Sequence, residues 1–183
     1  VVATRALARP GARTLAIVGT GEEAYSHLDA FQAVRPFERI RIWGRDAGDL
    51  VTLINVRADS AIFGGDGDDI LVGGRGQDVI FGGSGDDLVT GGAGDDFLIG
   101  GAGRDRLVGG SGDDVLVAGD VACEFSLQML RDISRAWAEF RCTPEEEGDG
   151  ALGKAIVDTD YDILTGSSGA DLFFISAGDK ITD

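Results

Sequence analysis

Aspartates 69, 78, 87, 96, 105 and 114 recur at every ninth residue, and each closes a run of glycines. Six units, GGDGDDILV, GGRGQDVIF, GGSGDDLVT, GGAGDDFLI, GGAGRDRLV and GGSGDDVLV, follow one another without a gap from Gly64 to Val117. A carboxylate at fixed period beside backbone made pliable by glycine is suited to holding a hard cation through oxygen ligands. No triad, paired-acid arrangement or histidine-rich cluster accompanies it, so nothing points to hydrolysis. The single histidine, His27, falls on the polar part of an expected helix and reads as a solvent-exposed side chain.

Glycine at positions one, two and four makes the first half of each unit a tight loop whose carbonyls can turn toward one point. The last three positions are mostly aliphatic, with the eighth always so (Leu71, Ile80, Val89, Leu98, Leu107, Leu116), and they read as a short strand. A loop and a strand make half a coil. Two units then complete one turn, and turns stack at the strand spacing of about 4.8 Å. Stacking sets Asp69, Asp87 and Asp105 in one row and Asp78, Asp96 and Asp114 in another. Bare carboxylates that close repel, and Ca²⁺ resolves the conflict by taking six to eight oxygens in flexible geometry, whereas Mg²⁺ demands a stricter octahedron. Same-edge pairing of units predicts four ions, with loop glycines Gly65, Gly67, Gly74, Gly76, Gly83, Gly85, Gly92 and Gly94 beside the aspartates. Asp68, Asp86, Asp95 and Asp113 at position five add ligands or negative field. Gln77 and Arg104 replace them in units two and five, and Arg104 with Arg106 makes unit five the expected weak site.

The nonapeptide G-G-x-G-x-D-x-U-x resembles the RTX (hemolysin-type) calcium-binding repeat. That resemblance implies a right-handed parallel β-roll, Ca²⁺ as cofactor, and a protein that is secreted or held at a bacterial surface. A flexible glycine linker would not keep an aliphatic at every ninth residue for six units.

The net charge of −16 is uneven, at +2 over residues 1–47 and −18 over the remainder. So acidic a surface disfavours nucleic acid. No apolar stretch is long enough to suggest a membrane span. Val1 and Asp183 read as the ends of a fragment.

Before the repeats, Arg13 to Val18 reads as a buried strand, GTGEEA from Gly19 as a glycine turn, Glu22 to Val34 as a helix and Arg39 to Trp43 as a second strand. This is the context of a dinucleotide fingerprint. The stretch from Ala3 to Asp46, through ALARPGARTLAIVGTGEEAYSHLDAF and RIRIWGRD, also resembles the ornithine cyclodeaminase and mu-crystallin family. That resemblance implies NAD(P), with Gly19, Gly21 and Ala24 toward the phosphates and Arg45 or Asp46 toward the adenosine ribose. The remaining parts of such an enzyme are missing, so the pattern marks ancestry or an artificial join near residue 47.

The expected organisation is therefore mainly β. It comprises a partial Rossmann-like βαβ segment at 1–47, capping rungs at 48–63 in which Leu53 and Ile62 begin the inward ladder, and the roll at 64–117. A helical insertion follows at 118–153, and degenerate rungs resume at 154–183. Within the insertion, Met129, Ile133, Ala136, Trp137 and Phe140 form an amphipathic stripe over Phe125 to Phe140, expected to pack on Val79, Phe81, Phe97 and Ile99 of the outer sheet face. A protein partner on that face is the alternative. Cys123 and Cys142 flank a helix of about 24 Å, too long for a disulfide, and read as free thiols. Glu145 to Glu147 read as a solvated loop. Asp162 and Asp171 keep position six in the resumed rungs and supply one further ion site on each edge. The reading is a calcium-dependent folding module without catalytic activity. Its rivals are an NAD(P)-binding oxidoreductase fragment and a metal-independent structural or adhesive spacer.

Overall fold

The computed structural model describes residues 14–18, 38–44, 47–53, 55–121, 155–156 and 159–182. They form a parallel β-solenoid of about six turns with two sheets. The seven-stranded sheet contains β1 (Thr14–Val18), β2 (Arg39–Trp43), β4 (Asp59–Asp66), β6 (Asp78–Ser84), β8 (Phe97–Ala102), β10 (Val115–Val117) and β14 (Leu172–Phe174), in that spatial order. The six-stranded sheet contains β3 (Leu50–Thr52), β5 (Ile70–Val72), β7 (Leu88–Ala93), β9 (Arg106–Ser111), β13 (Ile163–Ser168) and β15 (Lys180–Ile181).

In the regular part each strand pairs with the one two units further on, Ile80 with Leu98 and Val89 with Leu107. Two nine-residue units thus make one turn, as the repeat predicts. The eighth-position side chains Leu71, Ile80, Val89, Leu98, Leu107 and Leu116 are all fully buried in one core ladder. Burying each contributes roughly 1.5–3 kcal/mol. The strands run longer than the short triplets expected, because the ladder continues through the next unit's glycines: Gly83 pairs with both Gly65 and Gly101. Gly83 sits at φ 125°, where a side chain is strained, so glycine is what lets the chain turn without losing register.

The two ends depart from the expected organisation. β1 and β2 are parallel neighbours, as a βαβ unit would have them. The other edge of β2, however, pairs with β4 over Arg39↔Asp59 to Trp43↔Phe63, so Arg39–Trp43 is a rung of the solenoid and not part of a separate unit ending at residue 47. A two-strand unit buries too little surface to stand alone. Here Ile40 and Ile42 point into the shared core, and Trp43, Phe63 and Phe81 stack at 5.8 and 5.0 Å along position nine. The inward partner of Leu71 is Val51 and not Leu53. Extra chain between Leu53 and Val56 moves the register, leaving Leu53 buried at a first-position site.

At the other end β13 pairs with β9 and β14 with β10 across the insertion, so Asp162 and Asp171 do resume the stack. The intervening chain leaves and returns through an antiparallel stem of β11 (Asp120–Val121) and β12 (Ala155–Ile156). The described residues contain no helix. The expected helices at 22–34 and 125–140, with His27, Cys123 and Cys142, lie outside them. On the outer face expected to take the second helix, Val79, Phe97 and Ile99 are buried, together with Val115 and Val117, while the helix itself lies outside the described residues. It is the opposite sheet that shows aliphatic side chains, with Leu50 50%, Ile70 43% and Leu88 36% exposed.

Candidate metal centre

The loops between the sheets form two edges, and position six lies at the same place in each. On the first edge the row runs Asp49, Asp69, Asp87, Asp105, Asp162 and Asp179. On the second it runs Ser60, Asp78, Asp96, Asp114 and Asp171. Each backbone N–H at position six donates to Oδ1 of the next rung's aspartate: Asp69 to Asp87 at 2.8 Å, Asp87 to Asp105 at 2.9 Å, Asp78 to Asp96 at 2.8 Å and Asp96 to Asp114 at 2.9 Å. The same bond joins Asp49 to Asp69, Asp105 to Asp162, Asp114 to Asp171 and Asp162 to Asp179. The two rows expected from the sequence are therefore present, with Asp49 and Asp179 as members that the pattern did not reveal. Their only signal is A-G-D followed by a rung-like triplet, AGDLVT from Ala47 and AGDKIT from Ala177.

Oδ1 is used within the stack, while in four of the rungs Oδ2 is left over. The Oδ2 atoms of Asp69, Asp87, Asp96 and Asp114 are buried without a hydrogen-bond partner, and these side chains are no more than 3% exposed. An orphaned buried carboxylate oxygen is costly unless something neutral or cationic meets it. Each faces the first-position glycine of its own unit and, in most rungs, the carbonyl of the next rung's first position. A side-chain carbon on Gly64, Gly73, Gly82 or Gly91 would lie closer than 3.0 Å to its own aspartate's Oδ2 and to the carbonyl of Gly82, Gly91, Gly100 or Gly109 respectively. A carboxylate oxygen and a carbonyl oxygen thus converge beside the same glycine, and both are ligands of the kind a hard cation takes. These are the four same-edge pairs expected. The same convergence occurs with Gly44, Asp49 and the Gly64 carbonyl, and with Gly100, Asp105 and the Ala118 carbonyl. Among the described residues no three of His, Cys, Asp or Glu converge, so any site must draw on the backbone.

The glycines at positions two and four, the other expected site residues, are set by the turn they make. Gly65, Gly67, Gly83, Gly85, Gly92 and Gly94 all have φ between 114° and 137° and shape the turn. Gly74 and Gly76 do not share this conformation. In unit two the Gly74 N–H donates to Asp78 Oδ2 at 2.6 Å, and Arg75 reaches down to Asn55 Oδ1 at 2.7 Å. The loop adapts to the irregular rung beneath it. Unit five, by contrast, keeps Gly101 and Gly103 in the usual turn conformation, and its Arg104 pairs outward with Asp86. The position-five carboxylates cap backbone N–H groups of the rung above, Asp68 for Asp86 and Asp95 for Asp113. The Arg104 backbone and guanidinium hold Asp86 below its ordinary value.

Burial and the neighbouring carboxylates act together on the inner row. Desolvation, reinforced by Asp69, Asp68 and Asp86, pushes Asp87 up to about 6. Desolvation raises Asp114 to about 6, helped by Asp171 and Asp95, and Asp96 to about 8, helped by Asp78, Asp114 and Asp95. Burial also raises Asp69 and Asp78. Without a cation, the stack prefers these groups neutral. Gly19, Gly21, Ala24, Arg45 and Asp46, the expected dinucleotide contacts, lie outside the described residues.

Residues 63–98 and 90–120 match the RTX calcium-binding nonapeptide repeat, and residues 1–56 match the ornithine cyclodeaminase/mu-crystallin family. The central stretch thus consists of RTX calcium-binding nonapeptide repeats, a structural motif and not a catalytic one. A 41-residue stretch is 54% identical to an L-lysine cyclodeaminase of Streptomyces rapamycinicus. It covers 22% of this chain and only 12% of that protein. No solved structure matches. The second family match runs through Val56 and so includes β2 and β3, which fold as rungs of the solenoid.

Proposed function

We propose that the chain is a calcium-dependent folding module of an exported or surface bacterial protein, without catalytic activity of its own. The observation that carries this reading is the row of buried Asp69, Asp87, Asp96 and Asp114 Oδ2 atoms that no hydrogen bond satisfies. Asp69, Asp78, Asp87 and Asp96 with the carbonyls of Gly82, Gly91, Gly100 and Gly109 would hold four ions, and Asp105 with Ala118 and Asp49 with Gly64 offer the same oxygen pair. Unit two, whose Asp78 Oδ2 is already hydrogen-bonded, is the weaker member of the regular set. Twelve aspartates against three arginines between Gly64 and Asp120 give −9, which four Ca²⁺ nearly neutralise. Ion binding is then coupled to folding.

Extracellular calcium modules commonly bind at about 10⁻⁴ to 10⁻³ M. The chain would remain acidic and unfolded at cytosolic calcium and become rigid outside. Far-UV circular dichroism during a calcium titration, with magnesium as control, tests this. A cooperative gain of β signal near millimolar calcium, absent with magnesium, is the expected result. A spectrum already β-rich in chelator at neutral pH and indifferent to calcium would leave only a metal-independent spacer. The match over residues 1–56 favours one second reading, an NAD(P)-binding fragment. It requires cofactor protection of residues 19–24.

A further inference from the structure

We infer that Asp114 and Asp171 form a calcium site that staples together the rungs on either side of the insertion. The last rungs, residues 159–182, then dock only at higher calcium than the central roll needs. This inference rests on the calcium reading above and adds a regulation to it.

Asp114 is 0% exposed, and its Oδ2 has no hydrogen-bond partner. That atom faces Gly109, where a side-chain carbon would come closer than 3.0 Å to it. The rung above comes not from the next unit but from the far side of the insertion: the Asp114 N–H donates to Asp171 Oδ1 at 2.9 Å. Gly166 faces the Asp171 carboxylate as Gly109 faces that of Asp114. The carboxylate row therefore continues across the insertion, although the sequence on the far side has lost most of its glycines.

Three features make this far side dependent on the ion. Its closure joins Leu116 to Phe173, a much longer loop than the regular one from Leu98 to Leu116, and so costs more chain entropy. Ser167 occupies position two at φ 83°, where Gly110 and Gly92 stand in the rungs below and a side chain is strained. Leu172, Phe173 and Phe174 are each only half-buried, so their packing against the roll returns less than that of the fully buried ladder. Removing the cation adds the mutual repulsion of the Asp114 and Asp171 carboxylates to these costs, against only the strand pairing and the bond between the two rungs.

The test is hydrogen exchange of the whole chain, read by mass spectrometry during a titration with calcium alone. The expected result is protection of residues 88–99 at a lower midpoint than residues 163–174. Asp171→Asn should raise the second midpoint about tenfold and leave the first in place. Ser167→Gly, which relieves the strained position, should lower the second midpoint by a factor of about five. Coincident midpoints unmoved by either variant would overturn the inference. If 88–99 responds to calcium and 163–174 does not, this inference alone falls. If neither responds, the calcium reading falls with it.

Discussion

Replacing Asp96 with Asn should stabilise the metal-free protein and weaken its hold on calcium at the same time. Burial raises the Asp96 carboxyl from 3.8 to about 8 in the folded chain. A group raised in this way contributes stability that is complete below its unfolded value and is lost as pH rises toward its folded value. At about 1.4 kcal/mol per pKa unit, keeping that group in the roll at pH 7.5 costs on the order of 5 kcal/mol. Whole domains have only about 5–15 kcal/mol in hand. Asparagine removes the charge yet keeps an Oδ1 to accept the Asp78 N–H, now 2.8 Å away, and its amide nitrogen finds the Gly109 carbonyl beside Gly91. The expected gain in chelator at pH 7.5 is therefore about 3–5 kcal/mol, falling to nothing near pH 4.

The assay is urea unfolding followed by circular dichroism in chelator, repeated from pH 4.5 to 8. The parent has no fold to melt in chelator at pH 7.5, so the midpoints are compared where it still folds: with a slope of about 2 kcal/mol/M, the variant's should exceed the parent's by roughly 1 M near pH 5.5, and the variant should keep its β signal to higher pH. In the same variant the calcium midpoint should rise, because the amide supplies no charge. A variant no more resistant than the parent in chelator, or one with an unchanged calcium midpoint, would refute the link between the buried row and the metal.

In the parent, metal-free stability should decline between about pH 4 and pH 8, and the calcium midpoint should rise as pH falls, since ions then compete with protons on Asp87, Asp96 and Asp114; isothermal titration in two buffers of different ionisation enthalpy would register the protons released. Asp87→Ala should raise the calcium midpoint. At ten times a site's dissociation constant, losing that site removes about 1.4 kcal/mol of calcium-dependent stability, which calorimetry can measure. Gly82→Ala puts a carbon against Asp87 Oδ2 and the Gly100 carbonyl, so it should abolish that site and destabilise the roll by about 1–3 kcal/mol. Leu98→Ala empties the centre of the core ladder and should cost about 2–5 kcal/mol in thermal unfolding with calcium present.

The regular rungs were legible because two signals repeat in phase, the sixth-position carboxylate and the eighth-position aliphatic, and both stack as their nine-residue spacing requires. Asp49 and Asp179 were not. The spacing from Asp49 to Asp69, and from Asp162 to Asp179, is not a whole number of units, so a nine-residue frame passes over both. Ala47 and Ala177 also stand where the regular units have glycine. The first-position carbonyls were missed because a carbonyl belongs to every residue type and leaves no trace in the sequence. Unit two looked regular by its glycines, yet its loop differs, since conformation there depends on the extra chain in the rung beneath. Arg104, by contrast, pairs outward with Asp86 while the glycines of unit five keep the regular turn.

The boundary between the two family matches is not the boundary of the fold, and position six shows what is. Along the second edge, successive rungs carry Asp78, then Ser60, then Ile40, in direct register. Carboxylate gives way to hydroxyl and then to a buried alkyl group, so the acidic row ends by chemistry at Asp78, two rungs above β2. On the first edge it continues to Asp49, inside the residues that match the cyclodeaminase family. A solenoid end needs a strand that is parallel, apolar on its inner face and unsuited to further stacking. RIRIW supplies Ile40 and Ile42 to the core, and its outer edge is already occupied by β1. A strand inside the cyclodeaminase match thus serves as a rung of the solenoid, because it meets the first two of these conditions.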